Sequence, residues 1–300
     1  MATVLITGAS GLIGTALSQR LNADGHVVHR LGRSPEPDDP RSFGWDIRAG
    51  SIDDRCLDGV THVVHLAGAG IADERWSPSR VQELIDSRTD SARLLLRTAI
   101  DRSSSLEAFV SAAGIGYYGA ITSEHRFVEE DPPAGDTIAR ISAEWERAAD
   151  EWNTLTRVVK LRTPMVLAHD GGALDRLLPV VRTGIASALG NGRQWVPWIH
   201  LEDLVEAYLA ALFNRNMRGA YNTCANEDIT NDDLMRTLAL VMNKPYFMPR
   251  VPGFVLRVLF GELASILLKG SRASNERLAR TGFEIKHQEL GPAFRDLLRR

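Results

Sequence analysis

The chain has 300 residues, a hydrophobic content of 44% and a formal net charge of −3. A chain of this length buries a large core, either as one α/β domain or as a core domain with a smaller lobe. The slight acidity excludes the basic surface that nucleic-acid-binding proteins present, so no nucleic-acid partner is expected.

One apolar stretch and two cysteines indicate the cellular context. The stretch from Phe254 to Leu268 contains Arg257 and Glu262 and is too short to span a bilayer, which predicts an amphipathic helix and no membrane partner. The N-terminal residues are typical of a core strand and not of a signal peptide. Cys56 and Cys224 match no metal-ligand spacing, which predicts buried reduced thiols, no metal site and a cytoplasmic protein.

The first predicted unit is a buried strand that runs into a glycine-rich turn and a helix. After the apolar run at residues 4–6, glycines recur at every third position. Such glycines permit a tight bend, a close approach to a pyrophosphate and close packing of the next helix, whose N-terminal N–H groups bind phosphates. A second strand at residues 27–31 completes a dinucleotide-binding unit. The predicted cofactor residues of this turn are Gly8, Ser10, Gly11, Leu12, Ile13 and Gly14.

The second strand leads into Gly32 and Arg33, where a dinucleotide-binding fold selects its cofactor. An acidic residue here would accept the ribose 2′-hydroxyl of NAD, and none is present. The Arg33 guanidinium, with Arg30 nearby, suits the 2′-phosphate of NADP. A solvated arginine without a ligand is the alternative. We predict NADP as the cofactor.

The next strand, at residues 62–70, ends in small residues that let the backbone lie against the cofactor ribose. The predicted contacts are Leu66, Ala67 and Gly68. His65 is a candidate proton donor, but a histidine inside such a strand is more often a satisfied core residue. A long helix follows at residues 78–100, and its Arg88 needs a partner, which is either Glu83 or the cofactor.

A further strand and its exit loop occupy residues 109–119, followed by a helix at 137–152 and a strand at 155–163. In doubly wound sheets the carboxyl ends of such strands carry the chemistry. Ser111, Tyr117 and Tyr118 are therefore candidate catalytic residues, and Ser111 is also a candidate cofactor contact.

Several short motifs follow one another along the chain. They are HLAGAGIADERW, the Ser87-Arg88-Thr89 step, GYYG, AEWE, LRTPMVL, GGAL and GNGRQWVPWIHLEDL. In this order they resemble the epimerase-like, NADP-binding branch of atypical extended short-chain dehydrogenase/reductases, which is related to nucleotide-sugar epimerases. The resemblance spans nearly the whole chain. It implies an α/β fold, a Rossmann-type doubly wound parallel sheet with a smaller, mostly helical C-terminal substrate lobe.

The resemblance also implies domain limits and further site residues. The NADP-binding domain is expected at residues 1–165 plus 201–225, and the substrate lobe at 166–200 plus 226–300. The residues that would line the cofactor are Gly32, Arg33, Leu66, Ala67, Glu83, Arg88 and Met165. In nucleotide-sugar epimerases a run similar to residues 190–194 lies beside the substrate diphosphate. Arg193 and Gln194 are therefore substrate-side candidates, with an ordinary turn as the alternative.

The rest of the chain is expected to alternate between the two domains. A helix is predicted within residues 171–192, a helix that returns to the main domain at 201–213, and a last strand at 219–224. His200 and Asp203, at the start of the 201–213 helix, are predicted to cap it and not to act as catalysts.

The acid–base pair of the parent superfamily is missing from the sequence. That superfamily exchanges a proton through Tyr-x-x-x-Lys, in which the lysine lowers the pKa of the tyrosine. No tyrosine here has a lysine four residues later. Alignment by the Ala-Glu step of the 137–152 helix places Asp136 and Arg140 at the two positions, and the serine position falls on Ala113. Arg140 could still bind ribose hydroxyls, whereas the proton would have to come from Tyr117 or Tyr118.

Two functions of different classes remain open. The first is an NADP(H)-dependent oxidoreductase or epimerase-like enzyme that acts on a small polar or nucleotide-sugar substrate without the usual pair. The second is a non-catalytic NADP(H)-binding sensor or scaffold protein. In either case we expect a small-molecule ligand and a monomer or homodimer.

Overall fold

An eight-stranded sheet forms the centre of the computed structural model, which describes residues 1–299. The strands are β1 (Thr3–Thr7), β2 (Val27–Gly32), β3 (Ser42–Asp46), β4 (Ser51–Ile52), β5 (His62–His65), β6 (Ala108–Gly114), β7 (Arg126–Phe127), β8 (Arg157–Thr163), β9 (Met165–Leu167), β10 (Trp198–His200), β11 (Gly219–Asn222) and β12 (Arg272–Ala273). The helices are α1 (Leu12–Ala23), α2 (Pro78–Asp101), α3 (Thr137–Asp150), α4 (Gly172–Arg182), α5 (Leu201–Phe213), α6 (Asn231–Val241), α7 (Gly253–Phe260), α8 (Ala264–Leu268), α9 (Glu276–Ala279) and α10 (Leu290–Arg299).

The central sheet has the strand order β11-β8-β6-β5-β1-β2-β3-β4. Its strands pair in parallel, except that β4 runs antiparallel to β3 at the edge. The chain passes from β1 outward to β4 and then continues with β5 on the other side of β1. Ligands of such sheets bind where the order reverses, outside the carboxyl ends of the strands. The predicted Rossmann-type doubly wound fold is confirmed.

Strand β1 shows why the first strand is apolar at consecutive positions. Val4 and Ile6 pack in the cluster that contains residues of α1 and α5. Leu5 packs instead with Phe109 and Trp152, in the cluster that also draws on α2 and α3. A strand covered on both faces needs a continuous apolar run, whereas a strand with one wet face alternates.

A separate core cluster lies in the C-terminal half, around α4, α6 and α10. The prediction of a single amphipathic helix from Phe254 to Leu268 is wrong. The helix is interrupted at Gly261, where φ is +60°, so that α7 ends before this residue and α8 begins at Ala264. Glycine adopts this conformation without steric cost, and helices commonly end at such a residue. Among residues 1–299, no helix is both long and apolar enough to cross a membrane.

Candidate cofactor and substrate site

The turn after β1 forms a cradle of backbone atoms. Gly8 has a φ of +68°, and the N–H of Gly11 donates to the Gly8 carbonyl at 3.1 Å, which closes the turn. A Cβ at Gly14 would lie only 2.4 Å from that carbonyl oxygen. In the described part of the chain, no side chain caps the start of α1, because its cap residue is Gly11. The first N–H groups of the helix are therefore available to an anion, and the cradle fits a pyrophosphate.

The other predicted contacts of the turn lie along the same edge of the sheet. Leu12 and Ile13 open α1, and a Cβ at Gly172 would lie 3.1 Å from Leu12. Met165 begins β9 directly after β8, where its N–H donates to the Pro197 carbonyl at 3.1 Å. The topology thus brings residues far apart in the sequence to the carboxyl ends of the strands.

A groove of about 560 Å³ leads from the turn along α1 to the end of β2, and Ser10, Gly32 and Ser34 are among its lining residues. Arg30 lies in this groove and is bound by Asp39 and by Glu36, the latter at 3.0 Å. The hydrogen bond that Arg30 donates to the Asp39 carboxylate is the main reason that the pKa of Arg30 is raised.

Arg33, the next arginine along the chain, is exposed. Within the described residues it forms no ion pair, unlike Arg30. Two carboxylates therefore already neutralise Arg30. Among the described residues, Arg33 beside the end of β2 and Arg41 in the wall of the groove are the nearby arginines without an ion pair.

Thr7, the last residue of β1, joins the ends of β1 and β5. Its Oγ1 accepts the N–H groups of Leu66 and Ala67, at 3.1 and 3.2 Å, and lies 2.9 Å from Nδ1 of His65. Because the Thr7 hydroxyl proton is then directed at Nδ1, the His65 proton sits on Nε2, which lies 3.1 Å from Ser91 Oγ. Burial lowers the pKa of His65 to about 4. His65 is a neutral, satisfied core residue, as predicted, that positions the Leu66–Ala67 backbone.

Arg88 lies buried beneath Gly68 at the carboxyl end of β5. Its Nη1 donates to a carbonyl of its own helix at 2.8 Å and its Nη2 donates to the Ala69 carbonyl at 2.9 Å. The guanidinium carbon lies 4.7 Å from the centre of the Trp145 ring. Burial, and then the nearby Arg80 cation, lower the pKa of Arg88 to about 10, so that it is charged at neutral pH.

Among residues 1–299, the Arg88 charge has no acidic partner. Glu83, which is half-exposed, binds the buried Arg80 at 2.8 Å, so the predicted alternative of an Arg88–Glu83 pair is contradicted. Within the described residues no carboxylate pairs with Arg88, and its Nε has no hydrogen-bond partner. A buried cation without a counter-charge is costly, and an anionic ligand nearby would compensate it.

Helix α3 turns Ile138 and Ser142, which are four residues apart, toward the end of β6. A Cβ at Gly116 would lie 2.5 Å from Cγ1 of Ile138 and 3.3 Å from Oγ of Ser142. A Cβ at Gly114 would lie 3.5 Å from the same Ser142 oxygen. Ile138 and Ser142 have the same four-residue spacing as the Tyr and Lys of Tyr-x-x-x-Lys. The two side chains that face the end of β6 at this spacing are therefore an aliphatic group and a hydroxyl.

The sequence alignment placed Asp136 at the Tyr position and Arg140 at the Lys position of Tyr-x-x-x-Lys. This alignment is wrong in register. Asp136 caps α3 by accepting the N–H of Ala139 at 3.0 Å, and it also accepts the N–H of Ala120 at 2.7 Å. Arg140 is exposed, on the side of the helix away from its buried residues. Arg140 does not face the end of β6.

Tyr118 is a structural residue in this arrangement and not a free acid. Its hydroxyl accepts from Nη1 of Arg162 at 2.7 Å and faces the Val128 carbonyl and Asn222 Oδ1, each at 2.9 Å. Arg162 is bound in turn by Glu146 at 2.6 Å. Burial raises the pKa of Tyr118 well above its usual range. Although burial would lower the pKa of Arg162, its hydrogen bonds to Glu146 raise that pKa overall.

Tyr117 and Ser111 have different surroundings. The Tyr117 ring stacks over Arg162, at 3.7 Å, and lines a cleft of about 410 Å³ beside α3 with Lys160. Ser111 is fully buried within β6 and donates to the Ala112 carbonyl at 2.8 Å. The structure therefore does not bring Ser111, Tyr117 and Tyr118 together at one reacting point.

The substrate-side candidates differ in exposure. Arg193 is exposed, whereas Gln194 is 2% exposed and its Nε2 donates to the Leu189 and Leu267 carbonyls. Gln194 therefore ties the 189–194 turn to α8, and Arg193 is the free side chain of the pair.

The two predicted capping residues behave differently. His200 Nδ1 accepts the N–H of Glu202, which confirms it as the cap of α5. Asp203 instead accepts the N–H groups of Lys286 and His287, at 2.8 and 3.0 Å, so its assignment to the α5 cap is wrong.

Two features were not found from the sequence. These are the Arg162–Glu146 ion pair and the placement of Ser142 against Gly114 and Gly116. Glu146 is a charged residue among the buried residues of α3, and Arg162 is a charged residue in a strand buried along most of its length. Buried charges need partners, which is a signal in the sequence. Nothing local in the sequence identifies Ser142.

The chain is similar to known proteins along its whole length. Residues 4–224 match the model of the NAD dependent epimerase/dehydratase family, and residues 251–297 match a domain of unknown function (DUF1731). An Arabidopsis thaliana protein described as "Epimerase family protein SDR39U1 homolog, chloroplastic" is 36% identical over 99% of this chain and 86% of its own length.

Two solved structures extend this similarity to three dimensions. The human epimerase family protein SDR39U1, crystallised with NADPH, is 30% identical, and the match covers 99% of each chain with a TM-score of 0.89. A nucleoside-diphosphate sugar epimerase from Corynebacterium glutamicum is 27% identical, with a TM-score of 0.79 over 97% of this chain and 57% of its own. The predicted relationship to epimerase-like short-chain dehydrogenase/reductases is confirmed, and the chain belongs to the NAD dependent epimerase/dehydratase family.

Proposed function

We propose that this protein binds NADPH and uses it in an oxidoreductase or epimerase-like reaction on a small polar or nucleotide-sugar substrate. The observation that carries the proposal is the backbone cradle at Gly8, Gly11 and Gly14. Among residues 1–299 no side chain caps the helix that starts there, and the groove beside it extends to Gly32 and Ser34, the neighbours of Arg33 in the chain. NADPH in the structure of the human relative supports the same cofactor here.

The residues around the cradle have separate tasks in this proposal. The N-terminal N–H groups of α1 bind the pyrophosphate and Arg33 binds the 2′-phosphate. NADPH supplies a hydride. Thr7 and His65 hold the Leu66–Ala67 backbone against the ribose, and the buried Arg88 charge below Gly68 offsets the negative charge of the ligand.

The choice of NADPH over NADH is tested at Arg33. We expect Arg33→Ser to weaken NADPH binding by about tenfold or more and to leave NADH binding nearly unchanged, since a charge-assisted phosphate contact is worth roughly 1.5–3 kcal/mol. Fluorescence titration of both cofactors measures this. Arg48→Ser, which removes an exposed arginine elsewhere, is the control. Tighter binding of NADH than NADPH by the wild type would contradict the proposal.

A second candidate function is a cofactor-dependent sensor or scaffold without turnover. The observation in its favour is that Ile138 and Ser142 stand where α3 faces the end of β6, which leaves the Tyr-Lys pair without a replacement on that helix. Hydride exchange from NADPH over a panel of carbonyl compounds, sugars and nucleotide-sugars separates the two functions. Tight NADPH binding without exchange on any substrate would favour the sensor.

We also propose a cytoplasmic location and a monomer or homodimer. The location is supported by the two cysteines, which are unpaired and buried. Burial raises the pKa of Cys56 and of Cys224 to about 12, as expected of inert thiols in a reducing compartment.

A further inference from the structure

The stretch from α6 to α7 exposes apolar side chains to a degree unusual for this protein. Phe247 is 74% exposed, Phe254 is 67% exposed, Val258 is 72% exposed and Leu259 is 58% exposed. Half of the strongly exposed large apolar side chains in residues 1–299 lie between positions 240 and 260. Concentrated exposure of this kind marks an interaction surface, whereas single exposed apolar residues need no explanation.

The same region is strongly basic within an acidic chain. Between residues 234 and 275 there are six basic residues and one acidic residue, whereas the whole chain has a net charge of −3. Lys244, Arg257 and Lys269 are exposed, and none of them takes part in an ion pair among the described residues. The acidic residue, Glu262, accepts a hydrogen bond from Thr137. Three exposed cations in the same stretch as the apolar side chains thus form no ion pair among the described residues.

We propose that this surface, which we call the α7 surface and define by Phe247, Phe254, Val258, Leu259, Lys244, Arg257 and Lys269, docks on a membrane that contains anionic lipids. Interfacial helices combine projecting aromatic and aliphatic side chains with lysine or arginine in this way. Anionic headgroups supply the missing counter-charges. The protein lies on the bilayer and does not span it.

Geometry favours a membrane over other occupants. Phe254 and Val258 are one helical turn apart and share a side of α7, and Arg257 lies beside them. Side chains that are about 70% exposed project from the surface and do not line a groove, so that they fit the headgroup region better than a bound peptide. Two copies of this surface facing each other would bring their unpaired cations together, which disfavours a symmetric dimer through it. This proposal revises the expectation that the protein has no membrane partner.

Vesicle flotation with the full chain tests the proposal. We expect binding to vesicles of phosphatidylcholine with about one third phosphatidylglycerol and little binding to phosphatidylcholine alone, with the difference reduced at high salt. Each of Lys244→Gln, Arg257→Gln and Lys269→Gln should lower the partition coefficient about fivefold, which corresponds to about 1 kcal/mol per charge. Arg48→Gln is the matched control, since it removes an exposed cation elsewhere.

The apolar contribution is tested with Phe254→Ser and Val258→Ser against Ile100→Ser, whose side chain is 50% exposed on α2. Only the first two should weaken vesicle binding, and all three should leave NADPH binding unchanged. Equal loss in the control variants, or no binding to anionic vesicles, would overturn the proposal. Analytical ultracentrifugation that shows a wild-type dimer dissociated by Val258→Ser, without vesicle binding, would also overturn it in favour of a second copy of the chain.

Discussion

The turn after β1 and the cluster around Arg162 both place polar groups near the carboxyl ends of strands, but they leave them in opposite states. In the turn, the first N–H groups of α1 have no side-chain cap, and Arg33 has no carboxylate among the described residues. In the cluster, Arg162, Glu146 and Tyr118 satisfy one another inside the protein. The comparison teaches that polar groups left open mark a ligand site, whereas a closed network of the same kinds of groups supports the fold.

The largest expected effect on the free energy of unfolding comes from removing one member of the Arg162–Glu146–Tyr118 network. Glu146→Gln removes the carboxylate that binds Arg162, whose own exposure is 2%. We expect a loss of about 3–5 kcal/mol in the free energy of unfolding, because a buried charge is left without its partner. Urea unfolding measures it. Glu107→Gln breaks an exposed pair with Arg215 and should cost less than about 1 kcal/mol. Equal losses would show that burial does not distinguish the two pairs.

A smaller effect, near 3 kcal/mol, is expected in the pH dependence of the free energy of unfolding, through the protonation of His65. The pKa of His65 is about 4 in the folded protein and near 6.5 in an unfolded chain, so the unfolded state takes up a proton first as the pH falls. Stability from this residue is complete above pH 6.5 and is lost between about pH 6.5 and 4. The free energy of unfolding should therefore fall less steeply over this range in His65→Gln than in the wild type.

The wild-type curve also contains a contribution from His200. Burial, with His287 beside it, lowers the pKa of His200 to about 4 as well. His65→Gln is therefore expected to remove part of the pH dependence and not all of it. Parallel curves for the wild type and His65→Gln would mean that the Thr7–His65–Ser91 contacts do not hold the imidazole neutral.

The smallest effect separates the two tyrosines of the exit loop. Tyr118→Phe removes the hydroxyl between Arg162 and Asn222 and should cost about 1–3 kcal/mol in the free energy of unfolding. Tyr117→Phe keeps the ring over Arg162 and should cost less than about 0.5 kcal/mol. Thermal or urea unfolding of the two variants measures the difference. A fully stable Tyr118→Phe variant that loses hydride exchange would instead make Tyr118 a catalytic residue.

The sequence by itself determined the fold class and the phosphate-binding turn. Three glycines at fixed spacing after an apolar run act through backbone conformation and close contact within a few residues, so the pattern is readable locally. The apolar run at residues 4–6 likewise indicated a strand covered on both faces. The same local logic correctly identified His65 as a core residue and His200 as the cap of α5.

Only the tertiary structure decided which polar side chains meet. Arg162 contacts Glu146 and Tyr118, which lie 16 and 44 residues away in the chain, and the rotation of α3 that points Ile138 and Ser142 at β6 is set by packing on the sheet. The Ala-Glu step carries no information about that rotation, which is why Asp136 and Arg140 were assigned to the wrong side of the helix. Local spacing determines the conformation of a segment, but the face it buries depends on partners that the chain supplies from elsewhere.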